Sequence, residues 1–328
     1  MTYQGRALYN LLQMNLKQNP KMEVEGWQVE DYRSLSEEEL FNRLNKLNIS
    51  LDRANFLLYT EEYDCPEDLA DALYLEENYE THEQVFVVVF ELWRRLAVQK
   101  QSLSIFVDEF DHLIERYEAG DLEVEESLQE ALESFQMILD DNVDEGGGPR
   151  EGYHFFSAYS CHDLEVFIYE YIAHQIDAGN DQYASTLLDG FYPYVDNNRW
   201  FDLLRIRLVM DVDPEEGNVM LERLLTSLKE ESELYLLFEA LHYLIHVEET
   251  AQFQVAYHQA LDELETEEDL REFLMLTAEY FNAIEKEEEE ALINELLEKQ
   301  KGKDLQAKLK PCDDSLQMLK PLLGPAQS

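Results

Sequence analysis

The stretch LYLLFEALHYLIHV, Leu234 to Val247, carries two stripes at helical spacing. Leu234, Leu237, Phe238, Leu241 and Ile245 form an apolar one, and Tyr235, Glu239, His242 and His246 form a second at intervals of four, three and four. Residues three and four apart lie on one side of a helix, so the spacing predicts an amphipathic helix with one face in a core and the other turned to solvent or a partner. The polar stripe is the first candidate binding surface.

Working outward, the chain from 161 to 303 alternates amphipathic segments with polar turns. About eight helices result, read as four pairs that start at His162, Arg199, Leu234 and Leu270. A period of 35–37 residues is the range of stacked helix–turn–helix units. One pair cannot bury both of its faces, so neighbours stack to complete the core.

In the last pair, Ala278 and Phe281 occupy small and aromatic positions of the first helix, and Ala291 falls within one residue of the small position of the second. In the first pair, Ala184, Leu188 and Phe191 follow the second-helix pattern. Over roughly 140 residues this resembles the tetratricopeptide family, whose unit is a 34-residue helical pair. The resemblance implies a concave surface that holds a protein segment, and no catalysis. A non-repetitive helical bundle is the alternative architecture.

Upstream, Ser34 and Ser36 followed by Glu37 and Glu39 make overlapping capping boxes ahead of Leu40, Phe41 and Leu44. A second helix follows Asn48–Leu51, a third opens at Pro66, and Thr81 with Gln84 starts a longer segment reaching about Gln99. Its run Val85–Phe90 is β-branched and apolar almost all round, but no comparable segment exists to pair with it as a strand, so it reads as a buried helix. Two more helices lie between Ser102 and Asp140. The one glycine cluster, Gly146–Gly148, marks a boundary or hinge. The expected organisation is therefore all-α: an N-terminal segment (1–33), a helical domain (34–143), a glycine and aromatic linker (144–160), tetratricopeptide-like repeats (161–303) and a basic tail (304–328).

With 72 Asp and Glu against 25 Lys and Arg, the formal net charge of the 328 residues is −47. Such a field repels phosphate backbones and anionic bilayers and attracts cationic partners. The charge is uneven: residues 299–328 carry six Lys against three Asp, net +3, leaving −50 for the rest. That tail, with Leu316, Leu319, Leu322 and Leu323 as apolar anchors, either docks on the acidic body or recruits a separate partner. No unbroken apolar leader precedes the first helices, and no apolar run approaches the roughly 20 residues that span a bilayer. Cys65, Cys161 and Cys312 are far apart, without disulfide or zinc spacing. A cytoplasmic location is expected.

No nucleophile elbow, phosphate loop or dinucleotide fingerprint is present. Cys161 beside His162 invites a thiol–imidazole reading, but adjacent residues on a helix diverge by about 100°. His242 and His246 with Glu239 offer three potential metal ligands, and Glu239–His242, Glu109–His112 and Glu151–His154 share the Glu-x-x-His spacing of di-iron bundles. In so acidic a chain, composition alone produces such pairs. The expectation is accordingly no catalytic residue, no metal and no cofactor. Candidate partner-binding residues are Tyr235, Glu239, His242 and His246, together with Phe155, Phe156 and Tyr169 from the aromatic region beyond the glycines. The function expected is a protein-interaction module, adaptor or chaperone-like, that binds a basic protein segment and has no direct nucleic-acid or membrane contact. An all-helical metal enzyme and an acidic mimic of nucleic acid are the alternatives. Halophilic solvation is a further explanation of the charge.

Overall fold

The computed structural model describes residues 4–74, 78–247, 250–310 and 314–324. Among them are seventeen α-helices, three short 3-10 turns and no strand, so the protein is all-α. The chain divides into two compact units, residues 1–170 with 193–196, and residues 171–192 with 197–328.

In the first unit the helices are α1 (Gln4–Gln18), α2 (Glu37–Lys46), α3 (Arg53–Glu62), α4 (Pro66–Leu73), α5 (Tyr79–Leu96), α6 (Leu103–Glu118), α7 (Glu125–Asp144) and α8 (Pro149–Ser157), followed by the start of α9 (Leu164–Asp177). Ser36 caps α2 with Glu39 closing the box, and Pro66 sits in the first turn of α4. The Val85–Phe90 run is indeed helical, and every side chain from Val85 to Trp93 is buried. The start of α5 lies slightly earlier than the Thr81 signal suggests, because Asn78 is its cap and accepts from the Thr81 amide. Helices α1, α2 and α4 pack on α5. Glu91 lies in this core, held by Arg94 at 2.7 Å and by Arg95, whose guanidinium also donates to the main-chain oxygens of Tyr32, Arg33 and Leu35.

Gly146–Gly148 turns α7 into α8. Gly146 has φ +97°, and a Cβ at Gly147 would stand 2.2 Å from Asn142 Oδ1 and 2.9 Å from its main-chain oxygen, so the turn closes only on glycine. Helix α8 then lays Phe156 flat on Phe135, ring centres 4.0 Å apart.

The second unit contains the end of α9, then α10 (Asp181–Phe191), α11 (Asn198–Val212), α12 (Pro214–Glu230), α13 (Leu234–His246), α14 (Thr250–Glu263), α15 (Glu267–Ala283), α16 (Glu287–Gln300) and α17 (Asp314–Leu319). Helices α11 and α12, α13 and α14, and α15 and α16 form three hairpins. Their first helices, α11, α13 and α15, touch in succession, and so do the second helices α12 and α14. Hydrogen bonds follow the same period: Gln252 Nε2 donates to Asn218 Oδ1 and Gln259 Nε2 to the Leu225 carbonyl, both at 3.1 Å and both across 34 residues. Arg199 reaches Glu233 across the same interval at 3.0 Å. One contiguous core runs from Leu203 through Phe238, Tyr257 and Phe273 to Leu296.

The tail closes this core. The Glu267 amide donates to the Ala307 carbonyl, the Glu268 amide to Leu305, and the Leu309 amide to Glu265, forming an isolated bridge between Thr266 and Lys308. Leu319 and Leu323 are buried, Leu316 and Leu322 pack against the same cluster, and Tyr257 donates its hydroxyl to the Leu319 carbonyl at 2.9 Å. Of the alternatives for the tail, its described part takes docking on the body. Pro311, Cys312, Pro325 and the residues beyond fall outside the described segments.

Candidate functional site

Two places gather side chains capable of chemistry, one in each unit. In the first unit, a cavity of about 570 Å³ is lined by Arg6 and Asn10 of α1, Arg33 of the following loop, Asp108, Asp111 and His112 of α6, and Cys161 and His162. Asp108 is almost fully buried and accepts from Arg6 Nε at 2.8 Å, Arg33 Nη2 at 2.7 Å and Asn10 Nδ2 at 2.9 Å. Burial alone would raise its carboxyl, but the two guanidiniums and the Asn10 amide overcome that and hold it below the ordinary range. One turn on, Asp111 is pushed the other way: burial raises it, against the opposing pull of Ser160 and Cys161.

Cys161 and His162 lie in the bend before α9, not on a helix as the 100° argument assumed. Asp111 holds that bend, accepting from Ser160 Oγ at 2.6 Å and from the Cys161 amide at 3.0 Å, and the ligand atoms of Asp111, Cys161 and His162 all come within 4.8 Å of one another. This cluster has the members of a nucleophilic site without its electrostatics. Burial and then the Asp111 charge push the Cys161 thiol strongly up, and it donates to Met14 Sδ at 3.4 Å. A nucleophilic cysteine needs the opposite environment, one that favours thiolate. The cluster fastens α1, α6 and the 160–162 bend together.

In the second unit the polar stripe predicted on α13 is present. Tyr235, His242 and His246 are exposed and Glu239 is half-buried. Its neighbour α15 repeats the stripe at the same intervals as Glu268, Glu272, Met275 and Glu279, each 33 residues beyond its α13 counterpart. The two stripes form a face rich in carboxylates, and no ion pair reaches Glu239, Glu272 or Glu279 among the described residues. The consequence is visible at Glu272, whose carboxyl is raised by burial and then by the charges of Asp269, Glu239 and Glu268. Partial desolvation and then the same acidic side of α15 raise the phenol of the exposed Tyr235. The imidazoles of His242 and His246 stand with ring centres 5.1 Å apart, and the carboxylate that joins them is Glu279 from α15, rather than Glu239 from their own helix.

The aromatic candidates separate. Phe155 is 59% exposed and meets Tyr159 edge-on, whereas Phe156 is a core residue at 1%. Tyr169 is buried as well. Neither buried ring lies on a surface open to a partner. No protein-family model matches the chain, and neither the curated proteins nor the solved structures contain a match.

Proposed function

We propose that the protein is a non-enzymatic interaction module whose second unit binds a basic protein segment on the face formed by α13 and α15. The observation that carries the reading is the crowding of Glu239, Glu268, Asp269 and Glu272, whose charges add to partial desolvation in raising Glu272, and no ion pair to Glu239 or Glu272 compensates it among the described residues. Like charges held together at a cost are relieved by an incoming cation, so a Lys- or Arg-bearing segment gains both attraction and release of repulsion. Exposed Tyr235 and Met275 on the same face offer apolar contacts beside the acids.

Two features support the tetratricopeptide-like part of the reading. The hairpins stack first helix on first helix, with hydrogen bonds recurring across 34 residues. The unit also already receives one Lys-bearing segment, its own tail. That segment is fixed by main-chain bonds and buried leucines; Lys303, just before it, pairs with Glu267 at 2.8 Å.

The test is the affinity of the full chain for a fluorescent Lys- and Leu-containing peptide at low and moderate salt. Binding should weaken as salt rises, and Glu239→Gln with Glu272→Gln should weaken it further. Glu287→Gln with Glu288→Gln, which removes the same charge from exposed positions on α16, should leave it unchanged. Equal losses from the two pairs would show a diffuse acidic field without a site, and the proposal would fall.

A further inference from the structure

We propose that His242, His246 and Glu279 form a surface site for one borderline divalent metal ion of the zinc class. The inference stands apart from the basic-segment reading and uses different atoms.

The two histidines lie one turn apart on α13, which places both imidazoles on one side of the helix, and α15 packs against α13 and brings Glu279 to them. One nitrogen from each ring and a carboxylate oxygen come within 4.8 Å of one another. In a tetrahedral zinc site with bonds of about 2.0–2.1 Å the donors stand ~3.3 Å apart, and exposed side chains reach that spacing by small rotamer changes. Nothing needs to be broken first. All three residues are exposed, and none has a hydrogen bond or ion pair among the described residues.

The donor set decides the class of ion. Carboxylates alone, of which this chain has 72, suit hard cations such as magnesium and calcium; two imidazoles with one carboxylate suit zinc, copper or nickel. Three protein ligands leave at least one coordination position for water or for a donor brought by a partner. Glu239, nearer in sequence, is excluded from the donor set because the α13–α15 packing places Glu279 there instead. The fold therefore joins donors 33 and 37 residues apart, a pairing that no local motif displays.

Equilibrium dialysis of the full chain against zinc, with excess magnesium to occupy the carboxylates, tests the assignment. One equivalent of zinc should remain bound. His242→Ala and His246→Ala should each abolish it, and Glu279→Gln should weaken it by about tenfold or more, while Glu239→Gln should retain wild-type affinity. Circular dichroism of each variant checks that these exposed substitutions leave the helices intact. Cobalt in place of zinc gives a second readout, the visible absorption of a four-coordinate ion, which the histidine variants should lose. Zinc retained by either histidine variant, no equivalent surviving magnesium, or equal losses from Glu239→Gln and Glu279→Gln would each overturn the site. Peptide binding measured after chelation is unaffected by the outcome, so this proposal and the previous one fail separately.

Discussion

Asp108 of α6 and Glu272 of α15 are both acids on helices of a strongly acidic chain, yet their surroundings are opposite. Asp108 is buried between two arginines and an amide, and its carboxyl is held low. Glu272 is exposed among Asp269, Glu239 and Glu268, and its carboxyl is raised by partial desolvation against the helix surface and then by those charges. The first unit spends Arg6, Arg33, Arg94 and Arg95 on buried or half-buried acids. On the α13–α15 face of the second, the acids Glu239, Glu272 and Glu279 have no such partners among the described residues. The 72 acids are thus of two kinds: some are paired with arginines inside the first unit, and others are displayed on the α13–α15 face without an ion pair among the described residues.

The sharpest way to break that contrast is Asp108→Ala. It leaves Arg6 and Arg33 without their shared carboxylate, and removing one side of a buried pair typically costs about 3–5 kcal/mol. Denaturant unfolding should show a loss of that order, and hydrogen exchange should place it in α1 and α6; a loss under about 1 kcal/mol would mean water already shares those guanidiniums. The pH dependence follows from the same bonds. A carboxyl lower in the folded than in the unfolded chain adds stability that is present above the ordinary Asp value, about 3.9, and is lost as pH falls through the folded value. Asp111, raised by burial, has the opposite sign: its contribution is complete below that ordinary value and disappears as pH rises through its raised one. Wild-type protein acidified from about pH 5 should therefore lose the Asp108 contribution, and Asp108→Asn should flatten that limb of the stability curve.

Leu319→Ala comes next. The side chain is fully buried in the second unit's core, where leucine truncation costs about 2–5 kcal/mol depending on how far the cavity collapses. Because Lys308, Lys310 and Lys320 are exposed and form no ion pair among the described residues, salt should barely alter the effect. A loss that grew strongly with dilution of salt would return the tail's docking to charge, away from its leucines.

How much of this was legible follows the same division. Capping and apolar periodicity are local, so the all-α class, the start of α2 at Ser36, the proline start of α4 and the burial of Val85–Trp93 can all be read from spacing. Helix α1 escaped because its buried side is Ala7, Tyr9 and Arg6, while Leu8 and Leu11 face outward and Leu12 and Leu16 are only half-buried, so its leucines do not trace the core face. The four leucines proposed as tail anchors all meet the core, because apolarity states what will be buried, though not against what. The candidate sites were legible only along one helix at a time. The Tyr235–His246 stripe is local; the partners Glu272 and Glu279 come from α15, and Asp111 reaches Ser160 and Cys161 across about fifty residues, which no periodicity encodes. Phe155 and Phe156 are adjacent in the chain and differ completely in burial, because one helical step of about 100° separates a face turned to Phe135 from one turned to solvent.

The smallest expected effect is the most informative about function. Glu272→Gln removes a charge that its neighbours oppose, so the chain should gain stability, by no more than about 0.5 kcal/mol for an exposed position. The same substitution removes attraction for a basic peptide, and a single exposed charge pair of about 0.5 kcal/mol corresponds to roughly a twofold weaker complex. Denaturant midpoints and peptide anisotropy on one preparation measure both. Stability and affinity moving in opposite directions is the behaviour of a residue kept for a partner, since nothing inside the fold benefits from its charge. If instead stability falls and affinity stays level, Glu272 is compensated within the unit, and the displayed acids shrink to those that remain.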